Sequence, residues 1–398
     1  MEELSKLVYQ PDRRDDENEE DEEVEPCPDD LHFHEQPFSL GFHPSRDLLA
    51  VGLFEGAVSV VRYSTEGNEV VLDARQLHKS GGAVKQVRFD VAGTRLLSAG
   101  SDGALVMTDV ETLGETGRKR DAHGAGISAM VCYGRPNSEA SMVATGDDEG
   151  VVKIWDLRQE EPVCVIPGLD KEYVSDLDYE PHSNLLAASS AGGHVSVFNA
   201  RSGKVKGRSE HTGQELLSVQ WMKKGKMMVA GTTEGQLLIW RGSSWDAEVW
   251  RACEVLEGQP ESVDCLLKLD EDVLATGSMD GMIRIVQMHP GNQRGLLGLV
   301  GDHGDMPIEA LDMSYNNRFV ASSSHDDCVK FWNIDYWFEG HQEEADEEEA
   351  AAQADAVEAM DEGDDELDNR GKKVAKPEPL EQPISKNKQK KAEFFSGL

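Results

Sequence analysis

The sequence predicts an all-β fold in which seven copies of one hairpin close into a ring. The clearest copy lies at residues 142–158, MVATGDDEGVVKIWDLR, where two short β-prone runs flank a tight turn containing glycine. The hairpin recurs along the chain at intervals of 42 to 47 residues. An isolated hairpin is only marginally stable in water, so each copy needs neighbours that cover its apolar face. The copies therefore have to stand side by side, as the blades of a β-propeller do.

The residue at the hairpin turn marks every copy of the repeat. It is glycine six times and aspartate once, at Gly56, Gly103, Gly150, Gly193, Gly235, Gly281 and Asp327. A bulky or β-branched residue follows five positions later, at Val61, Thr108, Trp155, Phe198, Trp240, Val286 and Trp332. This period, with its Trp-Asp signals, is typical of WD40 repeats. We therefore predict a seven-bladed WD40 β-propeller with a disordered acidic N-terminal arm and an acidic, then basic, C-terminal tail.

Each copy also carries an earlier strand, which completes a blade. Residues 84–89 and 308–313 are examples, and both alternate apolar and polar side chains with period two. Four copies open with a histidine, at His78, His123, His211 and His303, whereas the fourth and sixth copies lack it. Together these segments predict seven four-stranded blades.

The ring must close, because an open strand edge invites aggregation. The seventh copy ends after Phe331-Trp332-Asn333, one strand short of a full blade. A spare apolar segment, residues 31–34, precedes the inner strand of the first copy. We predict that this segment supplies the outer strand of the last blade and latches the ring.

The charge of the chain separates its body from its ends. Of the net charge of −37, 24 negative charges lie in two tracts: residues 12–30, with twelve acids and two arginines, and residues 343–368, with fourteen acids and no Lys or Arg. A negative field argues against the body binding bare nucleic acid, which requires neutralised phosphates. The predicted organisation is a disordered acidic arm (1–30), the propeller (31–337), an acidic disordered linker (338–369) and a basic tail ending in FFSGL (370–398).

Cysteine usage and hydropathy indicate a soluble intracellular protein. The six cysteines form no CxxC pair and no Cys/His metal spacing, so we expect reduced thiols and neither metal nor cofactor. The acidic N-terminus is not a signal peptide. No run approaches the roughly 18 apolar residues that span a bilayer, so no membrane contact is expected.

Four residues of the seventh copy invite a catalytic and a structural interpretation. His303, Ser322, Asp326 and Trp332 stand at the spacing of the WD40 side-chain network, although Ser, His and Asp also compose hydrolase triads. No G-x-S-x-G elbow and no phosphate-binding glycine loop occurs in the sequence. We therefore predict a buried hydrogen-bond network that rigidifies the blade, and a protein that is not an enzyme.

Residues Trp155-Asp156-Leu157-Arg158 invite two interpretations as well. Asp156 and Arg158 follow the end of a strand, where they could point outward as a paired charge patch that anchors an interface. Alternatively, Trp155-Asp156 is only the repeat signature and Arg158 is an ordinary solvated side chain.

The C-terminal tail contains two further candidate elements. Its lysines include Lys386, Lys388, Lys390 and Lys391, which indicate a nuclear or nucleolar address or a loose RNA contact, although a solvated linker has the same composition. Phe394, Phe395 and Leu398 form a candidate anchor for a groove on a partner, or an inert terminus.

Several segments resemble a specific family, the WD repeat-containing protein 55 group. The resemblance is carried by residues 122–125, 144–148, 155–158, 172–176, 261–265, 318–323 and 330–332 and by the terminal FFSGL. It covers the predicted propeller but not the two acidic tracts.

The resemblance implies a nuclear, largely nucleolar protein that acts in ribosomal RNA production and ribosome assembly. Its expected partners are pre-ribosomal assembly proteins, and it is expected to be monomeric within larger complexes. Plant members of the family are linked to the cullin-4 ubiquitin ligase through its DNA-damage-binding adaptor. Substrate receptors of that ligase use a W-D-x-R motif, which here assigns Asp156 and Arg158 as the alternative adaptor contacts.

Overall fold

The computed structural model describes residues 26–79, 82–134, 141–168, 171–242, 245, 249–288 and 295–335. The described residues from 26 to 335 belong to one compact unit, which contains every strand that the structure describes. The predicted linker (338–369), the basic tail (370–398) and residues 1–25 of the acidic arm lie outside the described residues.

Seven sheets, numbered here as blades 1 to 7 in chain order, confirm the predicted propeller, and the four blade strands of each are antiparallel. Blade 1 contains β2 (Pro37–Phe42), β3 (Leu48–Leu53), β4 (Ala57–Arg62) and β5 (Glu69–Gln76). Blade 2 contains β6 (Gln86–Phe89), β7 (Arg95–Ala99), β8 (Leu105–Asp109) and β9 (Glu115–Lys119). Blade 3 contains β10 (Ile127–Gly134), β11 (Ser141–Asp147), β12 (Val152–Asp156) and β13 (Cys164–Ile166).

The remaining blades follow the same order. Blade 4 contains β14 (Val174–Glu180), β15 (Leu185–Ser190), β16 (His194–Asn199) and β17 (Val205–Ser209). Blade 5 contains β18 (Leu216–Met222), β19 (Met227–Thr232), β20 (Leu237–Arg241) and β22 (Glu254–Leu256). Blade 6 contains β23 (Val263–Lys268), β24 (Val273–Ser278), β25 (Met282–Gln287) and β26 (Gly295–Asp302). Blade 7 contains β27 (Ile308–Met313), β28 (Phe319–Ser324), β29 (Cys328–Asn333) and β1 (Leu31–His32).

Blade 4 differs from the expected four-stranded sheet, because β21 (Val249–Trp250) joins it as a fifth strand. This short strand belongs to the connection between β20 and β22 and pairs in parallel with β17. Tryptophans hold the connection in place: the Trp245 ring lies 5.0 Å from that of Trp221 and 5.3 Å from that of Trp250. A two-residue strand carries no periodic pattern, so the sequence did not predict it.

The hairpin turns adopt the backbone conformation that their residues predicted. The seven marked turn residues all have positive φ, from 58° at Asp327 to 98° at Gly56. At Gly103 an added Cβ would lie 2.8 Å from the carbonyl oxygen of His123, so a side chain would collide with the neighbouring loop. Aspartate tolerates this conformation better than most residues with a side chain, which explains its place in the seventh copy.

The predicted latch is confirmed at the junction of blades 7 and 1. Leu31 pairs with Val329 and His32 with Cys328, so β1 runs antiparallel to β29 as the outer strand of blade 7. The Phe33 amide extends the ladder by donating to the Asp327 carbonyl at 2.9 Å. Strand β1, from the N-terminal part of the described chain, thereby covers the edge of β29 that would otherwise be open.

The hydrophobic core is divided among the blade interfaces. Among the described residues, six buried clusters each join two neighbouring blades; one of them joins Phe319 and Phe331 of blade 7 to Phe42 and Tyr63 of blade 1. The first strands of the blades lie next to one another around the ring. In the part of the chain that the structure describes, no helix is long and apolar enough to cross a membrane.

Candidate functional site

The structure brings together the four network residues of blade 7. His303 Nδ1 lies 2.7 Å from Asp326 Oδ2, and His303 Nε2 lies 2.7 Å from Ser322 Oγ. The Trp332 indole N–H donates to the same hydroxyl at 2.8 Å. Burial is the main cause of a lowered pKa at His303, which favours the neutral ring. A neutral ring with Nδ1–H facing the carboxylate leaves Nε2 to accept the hydroxyl proton.

The same network is present in blade 3. His123 Nδ1 lies 2.7 Å from Asp147 Oδ2 and His123 Nε2 lies 2.7 Å from Thr145 Oγ1. The Trp155 indole N–H donates to Thr145 Oγ1 at 2.8 Å. The sequence analysis predicts the network only in the seventh copy. The same pattern is nevertheless present here: a histidine, a hydroxyl residue about twenty positions later, and a tryptophan ten positions after that hydroxyl residue.

Blade 2 contains the network without its tryptophan. His78 contacts Ser98 Oγ and Asp102 Oδ1, each at 2.9 Å, and Thr108 occupies the tryptophan position. The hydroxyls of Ser98 and Ser322 belong to side chains that are at most 1% exposed. A substrate carbonyl cannot approach an enclosed hydroxyl, so these Ser-His-Asp sets support structure rather than acyl transfer.

Blade 5 has three of the four network residues but lacks the hydroxyl. His211, Glu234 and Trp240 stand at the network spacing, and Ala230 occupies the position of Ser322. The Trp240 indole N–H is buried without a hydrogen-bond partner in the described residues. The His211 ring instead lies 5.1 Å from the His194 ring, and its Nδ1 accepts the Gly213 amide.

This gap predicts that Ala230→Ser stabilises the protein. A serine hydroxyl would give the Trp240 indole an acceptor, which should raise the free energy of unfolding by about 1 kcal/mol. Chemical denaturation followed by tryptophan fluorescence measures the change. Ala188→Ser is the matched control, because Phe198, at the tryptophan position of blade 4, has no side-chain N–H that needs an acceptor. Equal effects of both substitutions would contradict the prediction.

Asp156 and Arg158 form an ion pair, but only one of them faces solvent. Arg158 Nε and Nη2 donate to the two carboxylate oxygens of Asp156 at 2.9 and 2.6 Å. The Arg158 side chain is 53% exposed, whereas that of Asp156 is 6% exposed. Arg158, through its hydrogen bonds, lowers the pKa of Asp156 to about 2. The expected outward patch is therefore a single guanidinium held by a buried carboxylate.

The turn that presents Arg158 is fastened to blade 2. Lys119 Nζ donates to the carbonyl oxygens of Gln159 and Glu160 at 2.9 and 2.6 Å. The same ammonium lies 5.1 Å from the centre of the Trp155 ring. These contacts orient the turn before any partner arrives, which lowers the entropic cost of binding.

Buried carboxylates join the first strands of neighbouring blades, and sequence reasoning missed them. Asp176 accepts the Val219 amide at 3.0 Å and Asp178 accepts the Trp221 amide at 2.6 Å, so β14 is tied to β18. Burial raises the pKa of Asp176 to about 6 and that of Asp178 to about 7. Raised pKa values also occur in catalytic acids, but each carboxylate here already accepts backbone N–H groups, which indicates a structural role.

The remaining candidates give no geometry. Lys386, Lys388, Lys390, Lys391, Phe394, Phe395 and Leu398 lie outside the described residues. Among the residues that the structure describes, no three His, Cys, Asp or Glu side chains are placed to hold a metal ion.

Comparison with known proteins places this ring in a family. The WDR55 family model matches residues 28–337, from just before the latch strand to just past β29. The chain belongs to the WDR55 family. The match therefore covers the whole closed ring, and the recognised resemblance is confirmed.

Relatives in the WDR55 family come from distant organisms. The WD repeat-containing protein 55 homolog of Dictyostelium discoideum is 36% identical over 79% of this chain and 72% of its own length. WD repeat-containing protein 55 of Arabidopsis thaliana is 35% identical over 76% of this chain and 82% of its own. The human protein of that name is 33% identical over 78% of each.

Proposed function

We propose that the protein is a non-enzymatic scaffold of the nucleolus that acts in rRNA production or processing and ribosome biogenesis through protein–protein contacts. Membership of the WDR55 family carries the proposal, since the resemblance implies this role. Pre-ribosomal assembly proteins are the expected partners, and the protein acts as a monomer within larger complexes. The enclosed Ser-His-Asp sets support the absence of catalysis, and a rigid ring presenting loops suits a docking platform.

The basic tail provides the address in this proposal, so its removal should disperse the protein. A chain lacking residues 370–398 is expected to lose most of its nucleolar enrichment, because the truncation removes the lysine cluster. Quantitative imaging of the tagged chain measures the ratio of nucleolar to nucleoplasmic signal.

Two controls separate targeting from folding. The truncated chain should melt at the temperature of the full chain, because it keeps every strand that the structure describes. Replacing Phe394 and Phe395 with serine while keeping the lysines should preserve the enrichment. Unchanged nucleolar signal in the truncated chain would refute the address, and absence of the full chain from pre-ribosomal fractions on a sucrose gradient would refute the role.

A substrate receptor of the cullin-4 ligase is the second candidate, and the geometry of Arg158 favours it. The guanidinium is half-exposed and fixed by a bidentate pair, as an interface anchor requires. In this role Arg158 contacts the DNA-damage-binding adaptor, and Asp156 holds the Arg158 guanidinium in position.

Arg158→Ala is expected to reduce capture of the adaptor by more than about tenfold, as loss of a central interface arginine does. Affinity purification at native expression measures the captured adaptor. Arg201→Ala is the matched control, because Phe198-Asn199-Ala200-Arg201 occupies the equivalent turn of blade 4. Equal capture of the adaptor by both variants would exclude Arg158 as the adaptor contact. Pre-rRNA processing, measured in the same variants, tests the scaffold role separately.

A further inference from the structure

In one sector of the ring, the loops of one face contain neither lysine nor arginine. In a four-stranded antiparallel blade, the loop before the first strand and the hairpin between the second and third strands lie on the same face. For blades 6, 7 and 1 these loops are residues 259–265, 278–282, 303–309, 324–328, 33–38 and 53–57, all of which the structure describes. They contain nine acids and no lysine or arginine.

Large apolar side chains are exposed among these acids. Phe54, Met279 and Met306 are 50%, 53% and 47% exposed. The ring of Phe38 lies 6.5 Å from that of Phe54. Together Phe38, Phe54, Met279 and Met306 form what we call the Met–Phe face. Exposed apolar groups gathered in one sector and rimmed by charge are typical of protein-binding surfaces.

Contacts to backbone atoms link the loops of this sector from one blade to the next. The Met306 carbonyl oxygen lies between two hairpins. A Cβ added at Gly281, in the hairpin of blade 6, would lie 2.8 Å from this oxygen, and Ser324 Oγ, at the hairpin of blade 7, donates to it at 3.2 Å. The Asp327 carbonyl accepts the Phe33 amide, and the Phe54 amide donates to the Gln36 carbonyl. The sector thus runs from blade 6 through blade 7 to blade 1.

The negative charge of the sector is only partly neutralised within the chain. Glu309 pairs with His325, and Asp280 pairs with Arg284 of β25, a residue that is 8% exposed. In these six loops Glu55, Glu261 and Asp305 are exposed, and none of them forms an ion pair with another residue that the structure describes. Burial, and then the charges of Glu309, Asp280 and Glu261, raise the pKa of Asp264 to about 6. An approaching cation would relieve this repulsion.

We propose that the Met–Phe face binds a lysine- and arginine-rich segment of a partner protein that also carries an aromatic or aliphatic side chain. The apolar anchor lies against Met279, Met306 and Phe54, and the cations pair with the surrounding carboxylates. Methionine side chains adapt to varied apolar groups, which suits recognition of an extended segment.

Charge complementarity selects this occupant over others. A nucleic acid would bring phosphates to an acidic surface. A second copy would bring the same acidic loops, and the net charge of −37 opposes self-association.

The inference rests on the scaffold role only in that the ring binds proteins. If the unaltered full chain fails to bind a basic, aromatic peptide while its nucleolar enrichment is intact, the inference fails and that role stands.

The test uses the full chain and a fluorescein-labelled peptide of alternating lysine, arginine and phenylalanine, with fluorescence anisotropy as the readout. Met279→Ser with Met306→Ser should weaken binding at least about tenfold, since it removes the apolar contact. Glu55→Gln with Glu261→Gln should weaken it about three- to tenfold and reduce the salt dependence. A peptide with alanine in place of phenylalanine should bind the unaltered chain as weakly as the phenylalanine peptide binds the methionine variant.

Matched controls lie on the opposite face of the ring. Tyr315→Ser removes a side chain that is 45% exposed, and Glu66→Gln with Glu160→Gln removes two exposed carboxylates. Both should leave binding within about twofold. If the controls weaken binding as much as the Met–Phe variants, or if the alanine peptide binds equally well, the peptide binds through acidic charge at large and the proposal fails. Unchanged melting temperatures show that every variant is folded.

Discussion

Deletion of residues 1–36 is expected to abolish the cooperative thermal unfolding of the propeller. The deletion removes β1, which covers the edge of β29, and the buried Leu31, which belongs to the core shared by blades 7 and 1. It also removes Cys27, whose thiol lies 3.2 Å from the Phe331 carbonyl oxygen. Without the latch, blade 7 has three strands and an open edge, so the ring should unfold over a broad temperature range. Calorimetry and circular dichroism measure this directly.

A shorter deletion and a point substitution make the latch test specific. Removing residues 1–25 takes away most of the acidic arm but keeps the latch, so it should leave the transition unchanged. Leu31→Ala in the full chain should cost about 2–3 kcal/mol, because a buried leucine is truncated. A chain lacking residues 1–36 that melts like the full chain would refute the latch.

Loss of the network tryptophans is the second large effect that we expect. The Trp155 side chain is buried, whereas that of Trp332 is partly exposed and lies against Gly301. Trp155→Ala should therefore cost about 4–5 kcal/mol and Trp332→Ala about 3 kcal/mol, within the range for large aromatic truncations. Denaturant unfolding followed by circular dichroism measures both.

Phenylalanine substitutions separate the hydrogen bond from the packing. Trp155→Phe loses ring volume and the N–H bond to Thr145, whereas Trp240→Phe loses similar volume but no hydrogen bond present among the described residues. The first should cost about 1 kcal/mol more than the second. If both cost the same, the hydrogen-bond network adds nothing to stability beyond packing.

The blade network was predictable only in part, and Ala230 shows why. His211 opens its copy as His303 does, and the two residues have the same spacing to a tryptophan. The side chain ten residues before that tryptophan decides whether a network forms, because it must hold both the imidazole and the indole. With Ala230 at this position, the Trp240 indole N–H has no partner among the described residues, and the His211 ring lies against that of His194. Repeat spacing alone overlooks such a difference.

The sequence by itself determined the number of blades, the turn residues and the closing strand, because each depends on local signals: a positive φ, a period-two run and a spare apolar segment. Only the tertiary structure decided that Asp156 is buried while Arg158 is exposed, that β21 joins a neighbouring blade, and that Asp178 accepts a hydrogen bond from an amide of β18. It also placed the six loops around the Met–Phe face in one sector of the ring. Burial and pairing depend on side chains from the next blade, about forty residues away, whose positions exist only once the ring is closed.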